Sequence, residues 1–331
     1  MLQKKRQVAL VTGGYSGESV ISYKSAETMK ANLDKEAWDV YLIDIRKDGW
    51  FYRDEVGSET PVDKNDFSVT INGKKQTFDV VLIGLHGTPG EDGKLQGYLD
   101  CLGIPYTSCD AATSALTFNK RYTVAVAAFA GISVAKSLHL FRQHPMEPDA
   151  ILAALKLPVF VKPNNGGSSI GMSKVTRSEE LLAALQKAFQ EDEQVLVEEF
   201  IEGREFTIGV FRYEGRIITL PITEVIAENE FFDFEAKYMG KSKEITPAQV
   251  AEEVAAIIRS EASKAYAVFN CRGVVRMDFI FNEASSRPFL LEINTVPGQS
   301  EASIVPQQVL AMGWTLRQFY GALLNESLSE Y

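Results

Sequence analysis

Histidine and cysteine are scarce in this chain, with three of each in 331 residues. Cys101, Cys109 and Cys271 are odd in number and form no CxxC pair, and His86, His139 and His144 lack the HExxH spacing of a zinc-binding helix. This speaks against a disulfide scaffold and leaves the thiols as buried or incidental groups in a reducing cytosol. Positive charge is short as well: 34 Lys and Arg against 44 Asp and Glu give a net charge of −10, which disfavours a nucleic-acid backbone as the main partner. The basic run Lys4–Arg6 precedes "VALV", too short for a signal-peptide core and stopped by Gly13 and Gly14. The longest weakly polar run, Val124 to Ala135, falls well below the roughly 20 residues that span a bilayer. A cytoplasmic protein with no membrane partner is expected.

Two familiar nucleotide motifs are also missing. No GxxxxGK[S/T] leads into a helix, so a Walker A loop is excluded. "GGYSG" at 13–17 follows a first strand but does not spell GxGxxG, and Glu18 would set a carboxylate beside a pyrophosphate. Asp44 is a weak ribose ligand, so a dehydrogenase is the disfavoured alternative.

A hydrophobic content of 45% is enough for a sizeable core and two or three domains. In the first hundred residues, "QVALVTGG", a helix-permissive stretch through Leu33, "DVYLIDI" and "DVVLIGLHG" alternate strand with helix. That alternation predicts an α/β unit with a parallel, doubly wound sheet, its ligands collecting at the loops Gly13–Glu18 and His86–Gly93. "AATSALTFNKRYTVAVAAFAGI" reads as a helical hairpin. Strands follow at "LPVFVKP", "IGMSKV", "VLVEEFI", "EFTIGVFR" and "RIITLPI", with a helix opened by a Thr176-x-x-Glu179 capping box between the second and third. The polar stretch Glu224 to Pro247 is too long for a tight turn and suits a lid. A helix from about Pro247 to Phe269 then leads to the hairpin "GVVRMDFIF" and "PFLLEINTVPG".

Alternation along that hairpin places Arg276 and Asp278 on one face opposite Val275, Met277 and Phe279, and Glu292 and Asn294 on one face opposite Leu291 and Ile293. Two carboxylates and an amide gathered there would repel and desolvate one another, a conflict that a hard cation such as Mg²⁺ resolves. A plain Arg276–Asp278 surface pair is the simpler alternative. In "FVKPNNGGSSIGMSKV" (160–175), Lys162 precedes a Gly/Ser-rich turn between two strands. Such a turn can fold over phosphate oxygens with its backbone N–H groups and serines, Lys162 adding a point charge. An ordinary flexible hairpin is the alternative. "VLVEEFIEGREF" can supply an edge strand for adenine and acids for a ribose.

Taken together, "GGYSGE" (13–18), "HGTPGEDGKLQG" (86–97), "KPNNGGSSIGMSKV" (162–175), "FFDFEAKY" (231–238), "RMD" (276–278) and "LLEINTVPG" (290–298) resemble the ATP-grasp superfamily and, within it, the D-alanine–D-alanine ligase family, over nearly the whole chain. Two departures stand out. Met277 replaces a smaller aliphatic residue and should only repack the core, and Asn164–Gly167 differs from the charged version of some relatives.

The resemblance implies an α/β N-terminal domain (1–108), a central ATP-grasp domain (109–200) and a C-terminal ATP-grasp domain (201–331), with ATP between the latter two. It implies phosphate contacts from Lys120, Lys162 and Lys237, an adenine edge at Glu198, Phe200 and Ile201, and a ribose contact at Glu205. Asp278, Glu292 and Asn294 would hold two Mg²⁺ ions, or Mn²⁺. Glu18 would hold the ammonium of a first D-alanine, with His86 nearby, and Arg276 and the Gly298 N–H would serve the acyl oxygen. Ser303 and Ile304 would receive the second carboxylate, and Ser168 and Tyr238 would join Glu18 in bridging hairpin and lid. Tyr238 goes with dipeptide synthesis in the family. The implied activity is ATP-dependent ligation of two D-alanines for peptidoglycan precursors, by a homodimer. The alternatives are a ligase for another D-amino or D-hydroxy acid, such as D-lactate, and a nucleotide-binding regulator without turnover. The regulator should lack a metal ligand or a phosphate lysine, and none of these is missing.

Overall fold

The computed structural model describes residues 5–144, 146–167, 170–227 and 242–329. Val8–Val11 is wholly apolar and wholly buried, as a strand covered on both faces must be. It belongs to β1 (Arg6–Gly13), which is followed by α1 (Ser19–Asn32), β2 (Trp38–Arg46), β3 (Gly49–Arg53), β4 (Glu59–Asp63), β5 (Ser68–Ile71), β6 (Lys74–Gln76), β7 (Val80–Ile83) and α2 (Lys94–Leu102). β2, β1 and β7 are parallel neighbours. Val8 and Leu10 pack with Ala26 and Met29 of α1, while Ala9 and Val11 pack with Leu95 and Leu99 of α2. The sheet is therefore doubly wound around this parallel centre. β3 to β6 extend it with an antiparallel run, giving the order β6-β5-β4-β3-β2-β1-β7. That run escapes the sequence reading because its strands are three to five residues long and mostly polar or half-exposed.

α3 (Ala111–Phe118) and α4 (Lys120–Phe129) meet at Asn119, whose side chain accepts from the Tyr122 N–H and caps the second helix. Next come β8 (Ser137–Phe141), α5 (Pro148–Ala154), β9 (Val159–Pro163), β10 (Ser173–Val175), α6 (Leu181–Glu191) and β11 (Gln194–Glu199). These strands form a sheet ordered β10-β9-β11-β8, packed against α5 and α6. The capping residue ahead of α6 is Glu180, one place later than expected. A 3₁₀ turn at Ser178–Glu180 brings its carboxylate to the N–H groups of Thr176 (3.0 Å) and Arg177 (3.2 Å).

The third sheet uses β12 (Arg204–Tyr213), β13 (Arg216–Thr219), β14 (Thr223–Ala227), β15 (Ser242–Ile245) and, after α7 (Glu252–Val268), β16 (Val274–Asn282) and β17 (Arg287–Asn294). Its order is β15-β14-β12-β16-β17, with β13 paired to β12. Both ends of the stretch expected to be a lid are thus strands, β14 and β15, paired antiparallel. The middle of that stretch lies outside the described residues. α7 starts later than expected because Ala251 is extended and the Ala248 N–H is spent on Ile222 O, 2.7 Å away in the sheet.

One face of this sheet carries Phe206, Ile208, Val275, Met277 and Phe279, buried against Ala255, Ile258 and Ala262 of α7. The register shifts after Asp278, so that Phe279 faces Leu290 and Leu291 is left over. Leu291 consequently joins the polar face, where it lines a cavity, instead of lying opposite Glu292 as strict alternation requires. α8 (Ile304–Ala311) and α9 (Leu316–Ser329) close the chain. Val309, Phe319 and Tyr320 share one core with Leu10, Met29 and Phe211, which ties the third sheet to the first.

Met277 is fully buried among these side chains. Met277→Ala is expected to cost about 2–5 kcal/mol in urea unfolding, and Met277→Leu less than about 1.5 kcal/mol. Equal losses from the two would mean that the site is not close-packed.

Candidate active site

Two cavities adjoin along the polar face of β16 and β17. The larger, about 460 Å³, lies between the second and third sheets. The smaller, about 280 Å³, continues toward the first unit, and both are lined by Lys120, Gly166, Gly167, Arg276, Glu292 and Ile304.

Lys162 sits on β9 with its neighbours Val161 and Pro163 buried on the other face, so strand alternation turns it into the larger cavity. There it forms an ion pair with Glu198 of β11, the two side chains 12% and 8% exposed. β11 pairs on both sides and is no edge strand. The chain end beyond it, where Phe200 and Ile201 line the cavity, is what an adenine edge would meet. Phe200 packs near Phe160, with ring centroids 6.1 Å apart, and under Lys174 Nζ at 4.8 Å. Glu205 lines the same cavity from β12. Asn164 is buried and serves the framework, since its Oδ1 accepts from Arg121 N–H (2.8 Å) and its carbonyl from Lys120 N–H (3.0 Å). This fastens the base of the hairpin to the start of α4. Lys120 Nζ then donates to Gly166 O at 2.7 Å. A Cβ at Gly167 would stand 2.7 Å from Glu18 Oε1, so the hairpin comes close to the first unit here and a larger residue would have to push the Glu18 carboxylate aside.

Arg276 lies opposite Asn294, and Asp278 opposite Glu292. The guanidinium grips Asp278 with two bonds (2.9 and 2.8 Å) and stands 3.6 Å from Glu292. Thr207 Oγ1 also donates to Asp278. Asn294 Nδ2 is 3.4 Å from both carboxylates. The Arg276–Asp278 pair is therefore real but enclosed, with side chains 13% and 10% exposed, and is no surface pair. Among the described residues no group of three or more His, Cys, Asp or Glu gathers. The donors here are two carboxylates and one amide, a hard oxygen set that suits Mg²⁺ completing its shell with phosphate oxygens or water. Gln308, fully buried on α8, accepts from Gly209 N–H and donates to Thr207 O and Thr223 Oγ1, which fixes that helix beside the polar face.

In the smaller cavity, Glu18 stands at the N-terminal boundary of α1 without a side-chain capping bond, and Ser16 Oγ lies 3.4 Å from its carboxylate. Gly298 lines it, as do Ser303, at the start of α8 and 2.7 Å from Ser300 Oγ, and Ile304. His86 is buried, and burial pulls its pKa down to about 4 against the opposing bond to Val296 O, so the ring is neutral. Every described residue expected at the site lines one of the two cavities. Ser168, Lys237 and Tyr238, and the stretch "FFDFEAKY" that contains two of them, lie outside the described residues.

Sequence reasoning missed Glu91. Its carboxylate accepts from the N–H group of Gly87 (2.6 Å), and burial together with the nearby Glu18 raises its pKa to about 8. The available signal was an acid inside a glycine-rich loop already marked as a ligand site.

A central sheet and a third sheet enclosing a cavity, with paired lysines on one side and carboxylates on the other, define the ATP-grasp class of ligases. Likeness to known proteins carries this further. Residues 7–109 match the D-ala D-ala ligase N-terminus model and residues 120–325 the D-ala D-ala ligase C-terminus model. The chain belongs to the D-alanine–D-alanine ligase family. It is 43% identical over 324 residues to the D-alanine–D-alanine ligase of Parabacteroides distasonis, covering 98% of each chain. Among solved structures it is similar to the D-Ala:D-Ser ligase of Enterococcus faecalis (30% identity, TM-score 0.87, 98% of this chain and 100% of that one). It is also similar to the D-alanine–D-alanine ligase of Bacillus anthracis complexed with ATP (26%, 0.78, 98% of each).

The raised Glu91 pKa has a consequence for stability. Below pH 4.5, its ordinary value, the carboxyl is neutral in both folded and unfolded chains; between there and about 8 only the unfolded chain gives up the proton. Folded stability therefore falls as pH rises across that window and levels off above it. Glu91→Gln stays neutral, so its thermal midpoint should gain on the wild type from about pH 5 to about pH 8 and then run parallel. A midpoint difference independent of pH would show that Glu91 is ionised throughout.

Proposed function

We propose that this protein joins two D-alanines into D-alanyl-D-alanine at the expense of ATP, supplying a peptidoglycan precursor in the cytoplasm. One observation carries the reading: a lysine-bearing, partly apolar cavity and a smaller cavity lined by the Glu18 carboxylate meet at Arg276, Asp278, Glu292 and Asn294.

A carboxylate is a poor acyl donor because an amine must attack an anion and expel oxide. Transfer of the γ-phosphoryl group to the first D-alanine's carboxylate releases ADP and gives an acyl phosphate. The amine of the second D-alanine then attacks the carbonyl carbon, phosphate leaves from the tetrahedral intermediate, and the amine gives up a proton. In this reading Phe200 and Ile201 hold adenine with Glu198, Glu205 holds the ribose, and Lys120, Lys162 and Lys237 hold the phosphates. Lys162 must leave Glu198 to do so, or share it.

Asp278, Glu292 and Asn294 would hold two Mg²⁺ ions, or Mn²⁺, which supply charge neutralisation of the phosphate oxygens. Glu18 binds the first ammonium, and Arg276 and the Gly298 N–H face the charge that builds on the acyl oxygen. Ser303 and Ile304 at the start of α8 receive the second carboxylate, where helix N–H groups favour an anion. Ser168 and Tyr238, with Glu18, close hairpin on lid and exclude water from the acyl phosphate. We place domain boundaries at 1–108, 109–200 and 201–331, and expect a homodimer. The likeness to a D-Ala:D-Ser ligase keeps D-serine among the acceptors worth testing.

Phosphate release from ATP with a panel of D- and L-amino acids and D-lactate tests the reading. Release with D-alanine alone, yielding the dipeptide, is expected, whereas preference for L-amino acids would sink it. Asp278→Asn removes a charge from the metal face and should lower turnover by about two orders of magnitude or more. Wild-type turnover in that variant would refute the metal assignment.

A further inference from the structure

The loop 296–299, which carries Gly298, is held by the first unit through its backbone. Val296 O accepts from His86 Nδ1 at 2.7 Å, and Gln299 N–H donates to Ser25 Oγ at 3.0 Å. Ser25, on α1, is fully buried, and its Oγ is also 2.9 Å from His86 Nε2. The direction of these bonds is not free. A carbonyl can only accept, so Nδ1 of His86 carries the proton. With the ring neutral, Nε2 has a lone pair and must accept from the Ser25 hydroxyl, whose oxygen in turn accepts from Gln299 N–H. A closed chain results, running Gln299 N–H to Ser25 to His86 to Val296 O, which begins and ends on one loop. His86 N–H donates to Ser22 Oγ at 2.9 Å, so the histidine itself is fixed to the same helix.

We propose that Ser25 is a positioning residue for ligation, holding the His86 ring in the tautomer that Val296 O fixes and, through it and its own bond to Gln299 N–H, the place of the loop that presents the Gly298 N–H. His86 then acts by holding that loop, both its ring nitrogens being spent, and has no free nitrogen with which to move a proton. The inference rests on the ligase reading for its catalytic consequence, though the bond chain stands without it. Nothing in the sequence marks Ser25, because its two partners lie 61 and 274 residues away.

The test has an arm for each part. With only three histidines in the chain, long-range ¹H–¹⁵N spectra of the ligand-free protein resolve each ring. His86 should show a protonated Nδ1 and an unprotonated, hydrogen-bonded Nε2, and in Ser25→Ala the Nε2 resonance should move toward that of a free acceptor nitrogen. An Nε2–H tautomer or an imidazolium at neutral pH would overturn the chain of bonds. In steady-state assays Ser25→Ala should lose about tenfold in kcat with the KM for ATP unchanged, because the loop faces the acyl group and not the nucleotide. His86→Asn, whose amide nitrogen superimposes on Nδ1 and keeps the bond to Val296 O, should lose less than His86→Ala. Wild-type kcat in Ser25→Ala, with the altered His86 spectrum, would refute the positioning role. Absence of any D-alanine-dependent phosphate release from the wild type would instead strike the ligase reading, and the spectra would still decide the bonds.

Discussion

The antiparallel pair β16–β17 is the constraint on which the rest of the site depends. One of its faces is wholly apolar and pinned by α7, so the other must present whatever remains. What remains is a guanidinium, two carboxylates and an amide within a few ångströms of one another. In a bare cavity such a set is costly, since each carboxylate loses water and faces the other's charge. Arg276 offsets part of that by gripping Asp278 with two bonds, and Thr207 adds a third. The arrangement is compensated but still electron-rich. A hard cation arriving with phosphate oxygens would complete it.

Much of this can be read from the chain, and the reasons are specific. The two faces of β16 follow from simple alternation, which puts Arg276 and Asp278 on the polar side and Met277 in the core. On β17 the same rule works for Ile293 and fails for Leu291, because a bulge after Asp278 shifts the register by one. A bulge is a backbone event without a side-chain signature in this stretch. The capping acid before α6 falls one position from the expected one for a similar reason, the added 3₁₀ turn. β11 reads as an edge only because the five-residue β8, which the sequence reading passes over, pairs along its outer side.

The residues that escape entirely share another property. Ser25, Thr207 and Gln308 act through partners far away in sequence, and the bonds they make fix backbone or neighbouring side chains of other elements. Buried polar groups are almost always bonded, yet which partner they find is a property of the assembled fold. Pattern reasoning finds groups that are chemically conspicuous, such as paired carboxylates or a lysine beside glycines. It does not find a serine whose importance lies in closing a chain of hydrogen bonds.

Those cryptic groups explain why three sheets can act as one site. The second sheet meets the first through Gly167 beside the Glu18 carboxylate. The third meets the first through Val296 and Gln299, held from α1 and the 86–91 loop, and through the common core around Leu10, Phe211 and Phe319. The two junctions differ in kind. The third-to-first junction is buried and bonded in a fixed direction, so it resists displacement. The second-to-first junction is a close approach of a glycine turn, able to open without breaking a core. In the proposed reaction the rigid junction would hold the loop 296–299 at a constant distance from Glu18, as two steps that share the same donors require. The looser junction lies at Gly166 and Gly167, which line both cavities, so the proposed reaction would have its substrates enter and its products leave on that side.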